Sequence, residues 1–265
     1  LTEGGKTSEG FHAVARVVVD DGLLGCALVR ELGFTKADLD TDGDFLLTEY
    51  AGAIDLRPPG EHGRRGIQAN FPPDKNPPSS SSRGGGRNPL VRAFGRQIGE
   101  ILDLTAGLGG DAYRLAHAGH RVCGCERNPA VYAVLASGWE RARKRGSIPA
   151  TLVERLSFAY GEGADRIDSL EGPNLGVYID PMYPPPRRSS AKPRRELQVL
   201  RALLGGQRDA AGLVERSREK AARVVVKRPH HAEPLVPGAS FEIETKLVRF
   251  DVYVNPKRME AGSGE

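Results

Sequence analysis

From residue 90 onward, strand-like and helix-like segments alternate, and this alternation restricts the fold more than any other feature of the chain. Candidate strands are residues 100–104, 121–126, 156–160, 177–180 and 223–227, all short and largely apolar. Helical patterns fall near 110–118, 129–145, 164–170, 194–204 and 210–221. Strands that alternate with helices predict parallel pairing, because each helix carries the chain back to where the next strand starts. After Lys227 two β-like runs follow directly, 240–247 and 248–254, which predicts a closing antiparallel pair. The predicted class is α/β: a Rossmann-like, doubly wound sheet with a C-terminal antiparallel hairpin.

Ahead of this region the pattern differs. Residues 1–56 read as a small N-terminal α/β unit, with strand candidates at 14–19 and 45–47 and a helix at 23–32. Residues 57–89 are rich in breakers: Pro-Pro pairs, Ser79 to Ser82 and Gly84 to Gly86. That composition reads as a linker or insertion. Residues 90–257 then form the main domain, and 265 residues in all suffice for a full core.

The stretch Asp103-Leu-Thr-Ala-Gly-Leu-Gly-Gly-Asp111 joins the first strand of the main domain to its first helix. Glycine in such a turn lets the backbone approach a ligand closely. The dinucleotide fingerprint G-x-G-x-x-G is not met, because Ala112 stands where a third glycine would follow Gly107 and Gly109. Instead Asp103 stands four places before Gly107. Glu126 ends the second strand candidate, 23 residues beyond Asp103, where a carboxylate can accept hydrogen bonds from ribose hydroxyls. Arg127 and Asn128 follow, and Pro129 suits a first helical turn. Asp180-Pro-Met-Tyr183 ends the fourth strand candidate. Ligands in open α/β sheets sit beyond the carboxyl ends of the strands, and all three sites fall at such ends.

The D-x-x-x-G-x-G order resembles the first motif of S-adenosylmethionine (SAM) methyltransferases, in which a carboxylate near the turn suits the cationic methionine end. Asp180-Pro-Met-Tyr183 resembles the (D/N)-P-P-Y motif of enzymes that methylate exocyclic amino groups of bases. Such an amine is a poor nucleophile, because its lone pair is delocalised into the ring. A carboxylate and a backbone carbonyl that accept its N–H bonds favour a pyramidal nitrogen and aim the lone pair at the methyl group. Tyr183 offers an aromatic face to a splayed-out base, and Pro181 stiffens the loop. Asp180, Pro181 and Tyr183 are therefore the candidate catalytic residues, with Asp180 the candidate proton acceptor. The motif serves guanine N2 and adenine N6 alike, and transfer would be an in-line displacement governed by positioning.

Five ordered strings resemble the bacterial 16S ribosomal RNA guanine-N2 methyltransferase family, RsmJ. They are Asp103 to Asp111, Glu126-Arg-Asn-Pro129, Tyr178-Ile-Asp-Pro-Met-Tyr-Pro184, Arg223-Val-Val-Val-Lys-Arg-Pro229 and Arg249-Phe-Asp-Val-Tyr253. The resemblance implies a class I SAM-methyltransferase fold over residues 90–257 and transfer of methyl from SAM to guanine N2 in small-subunit ribosomal RNA. It implies SAM contacts at Gly110, Asp111, Glu126, Arg127, Glu162, Gly163 and Asp180, to which the D-x-x-x-G-x-G turn adds Asp103, Gly107 and Gly109 as expected cofactor contacts. The family usually has a serine-like turn where this chain has Glu162-Gly163. Ribosomal RNA or the small ribosomal subunit is the implied partner, in the cytoplasm, or in an organelle if a targeting segment has been removed.

Charge agrees with an acidic polymer as partner. Residues 1–56 carry a balance of −7, so the remainder carries +11 of the total +4. Arg187, Arg188, Lys192, Arg194 and Arg195 form a basic run just after Asp180-Pro-Met-Tyr183. Cys26, Cys123 and Cys125 lack zinc spacing and read as buried thiols in a reducing compartment. No run of about 18 apolar residues is present to span a membrane. The chain opens on Leu1 without a methionine, which reads as a fragment or a trimmed chain, and shows no signal peptide. One motif belongs to another class. Asp38, Asp40, Asp42, Gly43 and Glu49 fit the D-x-D-x-D-G-x5-E calcium loop, an accessory-site alternative that stands without a second loop to pair with.

Overall fold

Valine, isoleucine and leucine dominate the central strands on both faces, as a sheet covered by helices on two sides requires. The structure is a computed structural model that describes residues 15–72, 88–146, 148–168, 173–182, 194–205 and 209–259. The chain opens with β1 (Val17–Val19), a 3-10 turn at Asp21–Leu23, α1 (Ala27–Glu31), β2 (Phe45–Tyr50) and β3 (Ala53–Arg57). Next come α2 (Pro89–Phe94), β4 (Glu100–Asp103), α3 (Gly110–His117), β5 (Arg121–Glu126) and α4 (Pro129–Lys144). They lead to α5 (Ala150–Val153), β6 (Leu156–Tyr160), α6 (Gly163–Ile167), β7 (Leu175–Ile179) and α7 (Arg195–Leu204). The last elements are α8 (Ala210–Lys220), β8 (Arg223–Pro229), β9 (Phe241–Glu244), β10 (Val248–Val254) and α9 (Pro256–Met259).

Among the described residues the main sheet has seven strands in the order β6-β5-β4-β7-β8-β10-β9. Strands β4 to β8 pair in parallel, and β10 runs antiparallel to both β8 and β9. This is the predicted class I architecture. Side chains alternate between two layers, as the strand period demands. Ile101, Tyr178 and Val225 enter the layer that also holds Leu115 of α3 and Leu135 of α4. Their neighbours Leu102, Val177, Ile179, Val224 and Val226 enter the opposite layer, with Ile167 of α6 and Val214 of α8. Helix α4 starts where Asn128 accepts hydrogen bonds from Ala130 N (3.0 Å) and Val131 N (3.1 Å), with Pro129 in its first turn.

The N-terminal unit is a three-stranded sheet, β1 parallel to β2 and β2 antiparallel to β3. Here the structure corrects two expectations. First, the breaker-rich stretch after Arg57 is not a linker over its first part. Ile67 pairs with Leu56, and Ile67, Ala69 and Phe71 are buried at every second position. The period of an extended chain was present there but hidden by the surrounding prolines and glycines. Arg141 of α4 fixes this stretch, donating to Gln68 Oε1 (2.9 Å), Ala69 O (3.1 Å) and Asn70 Oδ1 (2.8 Å). Residues 73–87 lie outside the described residues. Second, the calcium-loop reading fails. The acidic run folds as a turn in which Asp42 N donates to Asp40 Oδ1 (3.1 Å) and Asp40 N to Asp44 Oδ2 (2.8 Å). Where an EF-hand needs an exiting helix, the chain enters β2, and Glu49 is a strand residue. Among the described residues no group of three or more His, Cys, Asp or Glu is placed to hold a metal ion. No helix among them is long and apolar enough to cross a membrane.

Phe71 joins the N-terminal unit to the main layer through ring contacts with Tyr113 (5.4 Å), Trp139 (5.1 Å) and Phe158 (5.8 Å). This approach depends on Gly138, where an added Cβ would overlap the carbonyl oxygen of Ala69. Gly138→Ala is therefore expected to destabilise the protein by about 1–3 kcal/mol through overpacking, read as a lowered denaturant midpoint.

Candidate active site

The carboxyl ends of β4, β5 and β7 meet the N-terminus of α3 around a cavity of about 390 Å³, within the range typical of small-molecule sites. Asp103, Gly107, Gly110, Asp111, Glu126, Arg127, Glu162, Gly163 and Asp180 all line it. Gly109 does not. It adopts φ +78° at the start of α3, and its Cα faces Leu135, Phe158 and Phe71 rather than the cavity. A Cβ there would meet those side chains, and the left-handed backbone is one that glycine tolerates without strain. Pro181 is described and follows directly on Asp180, whereas Tyr183 lies outside the described residues, as do Arg187, Arg188 and Lys192. Of that basic run, Arg194 and Arg195 are described, and Arg195 pairs with Glu61 at 2.7 Å.

Thr105 ties the first and third sites together. Its N–H donates to Asp103 Oδ1 (3.0 Å), while its hydroxyl oxygen accepts from Asp180 N (2.7 Å). Glu126 organises the glycine turn: Oε2 accepts from Gly107 N (3.0 Å) and Oε1 from Asn128 N (2.8 Å). Each oxygen retains acceptor capacity for a hydroxyl. Burial raises the Glu126 carboxyl, and the Asn128 and Gly107 N–H groups partly offset this. Arg127 and Glu162 face each other at 3.7 Å on the rim.

A charged relay crosses the cavity floor. Lys227 Nζ reaches Asp111 Oδ2 at 2.9 Å and Asp180 Oδ2 at 2.7 Å. Asp111 also accepts from Tyr178 Oη (2.8 Å) and Arg114 (2.5 Å). Burial works against the Asp111 charge, but Lys227 and Arg114 outweigh it and hold the carboxyl below the usual range. Burial raises the Asp180 carboxyl, with Lys227 opposing. Burial also works against the Lys227 charge, and the two aspartates outweigh it and raise the ammonium further. Tyr178, Lys227 and Thr105 were not singled out for this site from sequence. Strand parity is the signal that could have found two of them. Tyr178 and Lys227 alternate onto the α3 side of the sheet, beside Asp111.

Comparisons with known proteins agree with this geometry. A family model described as "Putative SAM-dependent methyltransferase" matches residues 28–255. Ribosomal RNA small subunit methyltransferase J of Dechloromonas aromatica is 34% identical over 223 residues, covering 82% of this chain and 89% of its own length. This chain belongs to the methyltransferase J family. The Shewanella amazonensis member is 43% identical over 178 residues, 64% of this chain and 71% of that protein. The crystal structure of the SAM-dependent methyltransferase NGO1261 from Neisseria gonorrhoeae is similar with a TM-score of 0.67 at 26% identity, covering 95% of this chain and 100% of that one. As a methyltransferase J family member, the protein is an enzyme that uses SAM.

The residues present suit that cofactor. Asp103, 1% exposed, is pushed from 3.8 up to about 8 by burial, against the Thr105 N–H and with the negative charges of Asp111, Asp180 and Glu126 adding to the rise. Such acidic crowding is relieved by a cationic ligand, and SAM is cationic at its sulfonium and ammonium groups. The same shift governs stability. The unfolded chain ionises Asp103 above its ordinary value, while the folded chain keeps the proton. This contribution is thus fully present below about pH 4 and is lost progressively up to about pH 8. Asp103→Asn should gain stability relative to wild type as pH rises through that window, measured by paired denaturant melts without ligand.

Proposed function

We propose that this enzyme transfers a methyl group from SAM to the exocyclic N2 of a guanine in small-subunit ribosomal RNA. The observation that carries this reading is the hydrogen-bonded join of Asp180 to Asp103 through Thr105, which holds a base-reading carboxylate against the cofactor turn. SAM, when bound, supplies an electrophilic methyl on sulfur. The roles that follow are those of the chain's own groups.

Asp103 faces the methionine ammonium through the turn it shares with Thr105. The Gly107 and Gly110 backbones allow close approach, and Asp111 braces the start of α3. Glu126 accepts from the ribose hydroxyls while holding the Gly107 N–H. Arg127 with Glu162 and Gly163 borders the adenine end. Asp180 and the Pro181 carbonyl accept the N–H bonds of the target amine, so that its lone pair points at the methyl. Asp180, raised by burial, then takes the proton released as the new C–N bond forms. Most of the rate enhancement in such a site comes from orientation.

Cations that show no carboxylate partner among the described residues support RNA as the substrate. Arg141 is held by three neutral acceptors, and burial first, then the charges of Arg145 and Arg65, lower its guanidinium from the usual range. Arg65 also lies over the exposed ring of Tyr50 at 5.2 Å. Like charges crowded in this way favour a polyanion. The setting is the compartment of ribosome assembly, the cytoplasm or an organelle with its own ribosomes.

Asp180→Ala should stay folded and bind SAM while losing at least about 1000-fold in transfer to unmodified small-subunit RNA. Nucleoside analysis of the wild-type product should give N2-methylguanosine. Methyladenosine would replace the base assignment, and full activity of a folded Asp180→Ala protein would remove it. Replacing Arg65 and Arg145 by alanine should lower the slope of log K against log salt for RNA binding by about 1 to 2.

A further inference from the structure

The relay on the cavity floor places an ammonium beside the carboxylate that meets the target amine. Lys227 lines the cavity, and its Nζ is held between Asp180 Oδ2 at 2.7 Å and Asp111 Oδ2 at 2.9 Å. Tyr178 Oη, donating to the same Asp111 oxygen at 2.8 Å, restricts where that carboxylate can turn. The ammonium is therefore aimed from two sides rather than swinging on its stem.

This arrangement matches one base edge. Guanine presents N2–H and N1–H as adjacent donors, followed by the O6 acceptor. The two oxygens of one carboxylate fit the two donors, and a cation beside the oxygen that takes N1–H then lies next to O6. Adenine presents its N6 amine beside N1, which is an acceptor, and carries no oxygen. A carboxylate and ammonium set in this order would meet a lone pair and an N–H donor instead. A site built to hydrogen-bond particular groups rejects analogues lacking them far more strongly than an apolar pocket does.

We propose that Lys227 is a specificity-determining residue that donates from Nζ to O6 of the target guanine while Asp180 accepts from N1 and N2. The inference rests on the guanine-N2 reading given above and adds the residue that selects the base. It also gives the Asp111 bridge a purpose, since Asp111 at the cofactor turn then orients the group that reads the substrate.

The test compares two substrates with the full chain: small-subunit RNA with its mapped target guanine, and the same RNA ligated with 2-aminopurine at that position. 2-Aminopurine keeps the exocyclic amine and loses both O6 and N1–H. Wild type should prefer guanine by about 100-fold or more in kcat/KM. Lys227→Met should reduce that preference about tenfold, the share of one charge-assisted hydrogen bond, with SAM affinity and melting followed in parallel. An equal loss on both substrates leaves the preference intact, makes Lys227 a strut for Asp111 and Asp180, and overturns the proposal. Lys227→Gln keeps an N–H donor and serves where the methionine variant does not fold. Its preference must also fall, by a smaller factor, and an unchanged preference overturns the proposal equally. A wild type that methylates a base other than guanine overturns the reading of the reaction and this contact with it. An insensitive preference in a wild type that makes N2-methylguanosine overturns the contact alone.

Discussion

Gathering carboxylates at one end of a parallel sheet is costly, and the way this cost is met organises the rest of the structure. Asp103, Asp111, Glu126 and Asp180 line the same cavity. Each is answered differently. Asp111 and Asp180 share the Lys227 ammonium, Glu126 takes two backbone N–H groups, and Asp103 takes the Thr105 N–H and keeps its proton near neutrality. Buried charge is tolerated only when it is paired or hydrogen-bonded. The remaining imbalance is negative, and a sulfonium cofactor is the ligand that such a remainder accommodates.

The strands hold these groups in place. Strands β4, β5, β7 and β8 carry buried apolar residues in both layers, so a slip by one residue would exchange the layers and remove Tyr178 and Lys227 from Asp111. The hydrophobic pattern thus fixes the electrostatics. Neither level is independent of the other, and the site inherits its geometry from the register of the core.

Much of this was legible in the chain. The strands at 121–126, 156–160 and 248–254 stand in the structure at those bounds, and in the last of them a β-branched and aromatic run leaves little freedom. The motifs at Asp103, Glu126 and Asp180 fell at strand ends and converge as expected. What was not legible depended on tertiary context. Strand β3 and helix α2 are short, and their burial comes from distant elements, as with Ile54 N donating to Ser137 Oγ at 2.8 Å. The three core side chains packed around the second glycine of the turn are likewise set by distant elements. The calcium pattern matched at each ligand position, yet a ligand spacing cannot report that a strand replaces the following helix.

Phe71 has a consequence for how this molecule can be divided. It belongs to a stretch that composition assigns to a connector, yet its ring lies against Tyr113, Trp139 and Phe158 and touches the position of Gly109. A chain cut to begin at residue 90 would contain every sequence string characteristic of the enzyme. It would also leave an aromatic trough open to water beneath the cofactor turn. The smallest functional piece is therefore set by a wall that carries none of the signature residues.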